Sequence, residues 1–70
     1  MRTGTFDLLP AAGDWWQLPS GRTVSVRRID DVDGSAEAVV RYVDEQGALG
    51  MGEFNLTLSY IARGRRVGRE

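Results

Sequence analysis

The basic side chains of this 70-residue chain are all arginines, and histidine, lysine and cysteine are absent. An arginine guanidinium binds carboxylates and phosphates in a planar fork, but it stays protonated at any working pH. Proton transfer, nucleophilic attack and soft-metal binding depend mostly on side chains that the chain lacks. The composition therefore favours binding over catalysis, and we expect no enzyme activity, no cofactor and no metal site.

The arginines are unevenly distributed, although the formal net charge is only -1. Those of the C-terminal part are Arg63, Arg65, Arg66 and Arg69, and those expected on a strand face are Arg22, Arg27 and Arg28. Such a cluster is suited to phosphates or to an acidic protein surface. The alternative is a solvated tail whose ion pairs with the acidic segment 30–33 contribute about 0–1 kcal/mol each.

The tandem pair Trp15-Trp16 is the second candidate binding feature. Neighbours on a strand point to opposite faces, so one ring is expected in the core and the other outside. An exposed tryptophan is a favoured anchor for a protein partner. The alternative is that both rings are covered, one by the body of the domain and one by the N-terminal arm. The candidate binding residues are thus Trp15, Trp16, Arg22, Arg28, Arg63, Arg65 and Arg66.

The acidic residues give no catalytic or metal-binding pattern. A calcium loop that began at Asp30 would need a glutamate where Arg41 stands, so we expect turn-forming aspartates there. Glu37, Glu45 and Glu53 could be paired for glycoside chemistry, but so small a domain offers little pocket to tune a carboxyl group.

Short alternating segments separated by glycine-bearing turns predict an all-β fold. The segments are 14–18, 23–29, 36–43, 51–58 and 65–67. Ile29 breaks the alternation of Val24 and Val26, which indicates a bulge or a strand end. We expect a loop over 30–35 with a turn at Asp33-Gly34, and either strand or a 3₁₀ turn over 59–62.

The strand spacing and phrases such as Gly21-Arg22-Thr23-Val24-Ser25-Val26 resemble the SH3-like barrel superfold, including its Tudor-like members. The resemblance covers about residues 15–68 and implies a small barrel of four to five antiparallel strands with an irregular N-terminal arm. It does not fix a function, because one superfold carries many activities. No polyproline-binding phrase and no methyl-lysine cage is placed by these residues.

Length predicts one domain, with an arm at 1–13 and a barrel at 14–68. The absence of a long apolar run predicts no membrane association, and the lack of cysteine and of a secretion signal predicts a cytoplasmic location. The arginine-, alanine- and glycine-rich usage suggests a bacterial, phage or plasmid source.

These features lead to three hypotheses of function. The first is a non-enzymatic protein-interaction module that acts by stoichiometric binding, for example an adaptor or an anti-CRISPR-like inhibitor of host machinery. The second is a small nucleic-acid-binding barrel that uses the C-terminal arginines. The third is an oligomeric enzyme with its site at a symmetry axis, in which homo-oligomers would form.

Overall fold

The structure, a computed structural model, describes residues 9–69 apart from the side chain of Val32. Most of the proposed N-terminal arm lies outside the described residues. The division into an arm at 1–13 and a barrel at 14–68 therefore stays a prediction.

The described residues form one antiparallel sheet of five strands in the order β4-β3-β2-β1-β5. The elements along the chain are β1 (Asp14–Gln17), β2 (Thr23–Val32), β3 (Ser35–Val43), β4 (Phe54–Thr57), α1 (Leu58–Ala62) and β5 (Arg65–Arg69). The predicted all-β class is confirmed. The ladders among residues 9–69 do not join β4 to β5, so closure into a barrel stays a prediction.

The hairpin of β2 and β3 is longer than the sequence indicated. Residues 30–35 were expected to form a loop, but Asp30 pairs with Glu37 and the strands meet at Asp33-Gly34. Both turn residues have positive φ, 52° at Asp33 and 81° at Gly34. A two-residue turn of this kind matches the right-handed twist of its strands, so the pairing continues to the tip. The predicted turn is confirmed, and the predicted loop around it is wrong.

A bulge lies in β2, as the broken alternation indicated. The register with β3 shifts between Val26 and Arg28, because Arg27 is the extra residue. The bulge returns Ile29 to the face of Val26, where it pairs with Ala38. β3 is an interior strand of the sheet, between β2 and β4.

The last apolar stretch is half strand and half helix. β4 ends at Thr57, whose side chain accepts a hydrogen bond from the backbone N–H of Tyr60 at 3.3 Å and caps α1. A threonine in this position satisfies one of the free N–H groups of a first helical turn. The alternation of Leu56, Leu58 and Tyr60 does not mark one continuous strand, because the cap turns the chain at Leu58.

The core lies on one face of the sheet and beneath α1. Its buried side chains are Trp16, Leu18, Val24, Val26, Ala38, Val40 and Ile61. Phe54, Leu56, Leu58 and Tyr60 pack around this cluster and remain partly exposed. Within residues 9–69, no helix has the length and apolar character needed to cross a membrane.

Candidate binding surface

Several arginines gather at one end of the sheet. The ladders place Arg65, Gln17, Thr23 and Val43 in one row across β5, β1, β2 and β3. The Nε of Arg65 donates to Oε1 of Gln17 at 3.3 Å, and the amide of Gln17 donates to the carbonyl of Gly21 at 3.5 Å. The exposed arginines at or beside this row are Arg22, Arg63, Arg65 and Arg66, and they are called the basic end below.

An exposed aromatic patch, consisting of Tyr42, Phe54 and Met51, lies beside the basic end. The rings of Tyr42 and Phe54 are tilted by 41° with centroids 4.7 Å apart, a favourable aromatic geometry. Tyr42 is 37% exposed and Met51 is 94% exposed. The chain reaches Met51 through Gly50, whose N–H donates to the carbonyl of Tyr42 at 2.8 Å.

Arg22 joins the basic end to the aromatic patch. Its guanidinium carbon lies 3.9 Å from the centroid of the Tyr42 ring, within the range of a cation–π contact. Arg22 precedes β2, and the pairing of Val24 with Tyr42 brings the two side chains together. The aromatic stacking restrains a long side chain that would otherwise be free in solvent, so a cation is held in place at the surface.

The two tryptophans have different environments. Trp16 is only 2% exposed in the core, because its register partner Val24 faces the same way. Its proposed role as a surface anchor is therefore not supported. Trp15 is half-buried on the opposite face, where an ideal Cβ built on Gly47 would be 3.7 Å from its ring. The loop between β3 and β4 thus lies against Trp15.

Arg28 does not belong to the basic end. It pairs with Val39 in the middle of the β2–β3 ladder, and its guanidinium lies 3.4 Å from Asp30 and 3.7 Å from Glu53. The alternative of ion pairs between the C-terminal arginines and the acidic segment is not seen among the described residues, where Asp30 is paired with Arg28 and Arg69 with Asp14. The acidic residues toward the tip of the β2–β3 hairpin are Asp30, Asp31, Asp33 and Glu37.

Asp14 is a buried carboxylate whose importance the sequence did not reveal. It is 2% exposed, and its oxygens accept from the N–H of Ala11 at 3.1 Å and from the indole N–H of Trp16 at 3.3 Å. Arg69 donates to it at 3.0 Å. One carboxylate therefore fixes the segment before β1, the core tryptophan and the end of β5. The signal was its position two residues before Trp16, on the same face of a strand.

A cleft of about 690 Å³ lies between the start of β2 and the loop after β3. Its lining residues include Arg22, Asp44 and Glu45. One carboxylate oxygen of Asp44 already accepts from the backbone N–H groups of Gln46 and Ala48, at 2.8 and 2.9 Å. Asp44 therefore shapes the loop, and the described residues contain no cluster of three or more groups able to hold a metal ion.

The fold and this surface define a small all-β domain with separated charges and an exposed aromatic patch. No protein-family model matches the chain, and neither the curated proteins nor the solved structures include a detectably similar one. The case for a function therefore depends on the geometry of the surface.

Proposed function

We propose that the chain is a non-enzymatic module that binds an acidic protein surface stoichiometrically, through the aromatic patch and the basic end. The observation that supports this proposal is Arg22 stacked on Tyr42 at 3.9 Å, beside an almost fully exposed Met51. Tyrosine and arginine are enriched among the residues that contribute most to protein interfaces. The surface thus combines residue types suited to the centre of a contact.

The chemistry of the patch favours a protein over a small molecule. Tyr42, which is 37% exposed, and the partly exposed Phe54 have few rotatable bonds, so they lose little conformational entropy when covered. Met51 is flexible and polarisable, and such side chains adapt to irregular partner surfaces. A stable contact with this patch would remove apolar area from water, which is the main favourable contribution to association.

The basic end supplies orientation and selectivity. Arg63, Arg65 and Arg66 are exposed, and none of them has an ion pair with an acidic residue in the described part of the chain. Positive charge beside an aromatic patch attracts an acidic partner and repels a basic one. Trp15 lies on the face of the sheet opposite Tyr42 and Phe54, so we leave it outside the proposed surface.

The test compares proteins retained from a lysate of the source cells by the wild-type chain and by Arg22→Ala and Met51→Asp variants. We expect one protein to be retained at a stoichiometry near unity by the wild type and to be lost from both variants. For Arg22→Ala the expected loss of affinity is about five-fold or more, as for an interface residue whose truncation costs over about 1 kcal/mol.

Arg28→Ala is the matched control, because Arg28 is an exposed arginine in the middle of β2, outside the basic end, with its guanidinium close to Asp30 and Glu53. Its partner binding should equal that of the wild type. Equal retention by the Arg22→Ala and wild-type chains would contradict the proposal. So would a DNA or RNA mobility shift that falls steeply with salt, which the nucleic-acid hypothesis predicts. A defined tetramer in light scattering would instead favour the oligomeric enzyme, and both alternatives stay predictions.

A further inference from the structure

The outer edge of β5 is a free sheet edge in the described part of the chain. β5 pairs with β1 on one side and is the last strand of the sheet on the other. Such an edge presents backbone N–H and C=O groups to which a further strand can bond. A shallow groove of about 380 Å³ follows this edge and is lined by Arg66, Val67, Gly68 and Arg69.

The side chains of this edge are strongly basic. Arg65, Arg66 and Arg69 belong to β5, and Arg63 comes just before it. Arg69 is directed to the buried Asp14 at 3.0 Å, while Arg65 donates only to the neutral amide of Gln17 among the described partners. The guanidinium groups of Arg63 and Arg66 are exposed with no bond to a described acid. The edge therefore has cations available for another chain.

We propose that the β5 edge accepts an extended acidic segment of a partner protein as an additional strand. This inference rests on the proposed function, and it names the form in which part of the partner binds. Main-chain hydrogen bonds give affinity in this mode of recognition, and alternate side chains give selectivity. The ladder pairs Arg65 with Gln17 and Arg66 with Trp16, so these two arginines lie on opposite faces of the sheet. Carboxylates on one face of the segment would meet Arg66, and an apolar side chain would meet Val67, which is 47% exposed.

The positive charge of β5 favours an acidic segment over a second copy of the chain. Two β5 strands side by side would bring arginine against arginine, and like charges on facing strands are destabilising. The other edge of the sheet, Phe54–Thr57, has no charged residue in its strand. An acidic segment is therefore complementary to β5 and has no comparable attraction to β4.

The bulge in β5 also fits an alternative explanation, in which the edge is protected from pairing with any further strand. Trp15 pairs with Gly68 and Trp16 with Arg66, so Val67 is the extra residue. Bulges and charged side chains are common devices that keep sheet edges from pairing at all. A test must therefore distinguish an edge that binds a strand from one that is only protected.

The probe is a short synthetic peptide that alternates glutamate and valine, added to the full chain at low salt. Backbone amide exchange is followed by NMR. We expect slowed exchange confined to residues 65–69 and to the adjoining ladder with β1. A peptide of the same sequence with alternate backbone nitrogens methylated keeps its charge but cannot form the ladder, and we expect it not to slow exchange.

The matched variants are Arg66→Gln and Arg28→Gln, one on the β5 edge and one on β2. We expect Arg66→Gln to weaken peptide binding about three-fold, as for the loss of a solvent-exposed ion pair. Arg28→Gln should leave binding unchanged. A lysine–valine peptide should not bind, because its charge has the same sign as the edge.

Three outcomes would overturn the inference: no protection of β5, protection of β4 instead, or equal binding of the methylated peptide. An edge whose bulge and charges keep any strand from pairing would give the first outcome, in which exchange in β5 is not slowed. None of them decides the proposed function, which is measured separately by the loss of the partner from the Arg22→Ala chain. Loss of that partner with no protection of β5 would leave the aromatic patch as the whole contact.

Discussion

Gly64 is the residue at which the chain has least room for a side chain. It follows α1 and lies against the end of β1, where an ideal Cβ would fall well inside contact distance of the carbonyl oxygen of Gln17. The same Cβ would lie 2.9 Å from the carbonyl carbon of Gln17 and 3.2 Å from the Cα of Leu18. These are backbone atoms that cannot rotate away, so glycine sets how closely α1 and β5 approach β1.

We expect Gly64→Ala to lower the free energy of unfolding by about 2 kcal/mol or more, because the methyl group forces two backbone segments apart. Urea unfolding followed by tryptophan fluorescence measures the change. Gly52→Ala is the control, since a Cβ there meets nothing within 4 Å. A Gly64→Ala chain as stable as the control would show that the contact is looser than described.

Asp14 joins segments that are far apart in the chain. It is the last residue before the tryptophan pair and lies 55 positions from its partner Arg69. A buried carboxylate is costly unless its oxygens are bonded, and here three donors reach it. The sequence identified its charge and its strand, but the distant partner depends on the pairing of β1 with β5.

At the scale of elements, the β2–β3 hairpin forms the longest ladder of the sheet. It extends from Thr23–Val43 at the basic end to Val32–Ser35 at the acidic tip. The hairpin thus separates the charges: Arg22 precedes one end of β2, and Asp30 and Asp31 lie near the other. The turn at Asp33-Gly34 fixes the register, and the register places Tyr42 opposite Val24 and beside Arg22.

The turn itself can be tested at Gly34, whose φ is +81°. We expect Gly34→Ala to destabilise the chain by about 1 kcal/mol, since a left-handed backbone brings Cβ close to the following carbonyl oxygen. Asp33→Asn should be neutral, because asparagine tolerates positive φ. Urea unfolding compares the two. Because the turn is far from Arg22 in the ladder, partner binding should be unaffected in either variant.

At the scale of the whole molecule, a single thin core joins the sheet to α1. A domain of this length buries only about 60% of the surface that its unfolded chain exposes. Ile61, with no exposed area, is the buried residue that α1 contributes. Four apolar residues around it, Phe54, Leu56, Leu58 and Tyr60, stay partly exposed. Few side chains therefore hold the basic end and the aromatic patch in their relative positions.

We expect Ile61→Ala to cost about 3 kcal/mol, within the range for truncation of a buried isoleucine. For a small domain this is a large part of the total stability, so the near-ultraviolet circular dichroism of the variant should already be weakened without denaturant. Ser59→Ala, on the exposed side of the same helix, should change stability by less than about 0.5 kcal/mol. A loss below about 1 kcal/mol for Ile61→Ala would show that α1 does not complete the core.

The sequence by itself determined the all-β class and the turn at Asp33-Gly34, and it indicated an irregularity before Ile29, a bulge or a strand end, that the structure shows to be a bulge. These features are local, since side-chain alternation and turn chemistry act between near neighbours. The absence of histidine, lysine and cysteine led us to expect binding in place of catalysis, and this stays a prediction.

Only the tertiary structure decided which arginines lie together and which tryptophan reaches the surface. Arg22 and Arg65 are 43 residues apart in the chain, yet the rows of the sheet bring them to one end, while Arg28 is directed to Asp30 and Glu53. Strand order and register set these neighbours, and both depend on burying the core and not on the charges themselves. Spacing along the chain cannot show this, because antiparallel pairing joins positions that are far apart in sequence.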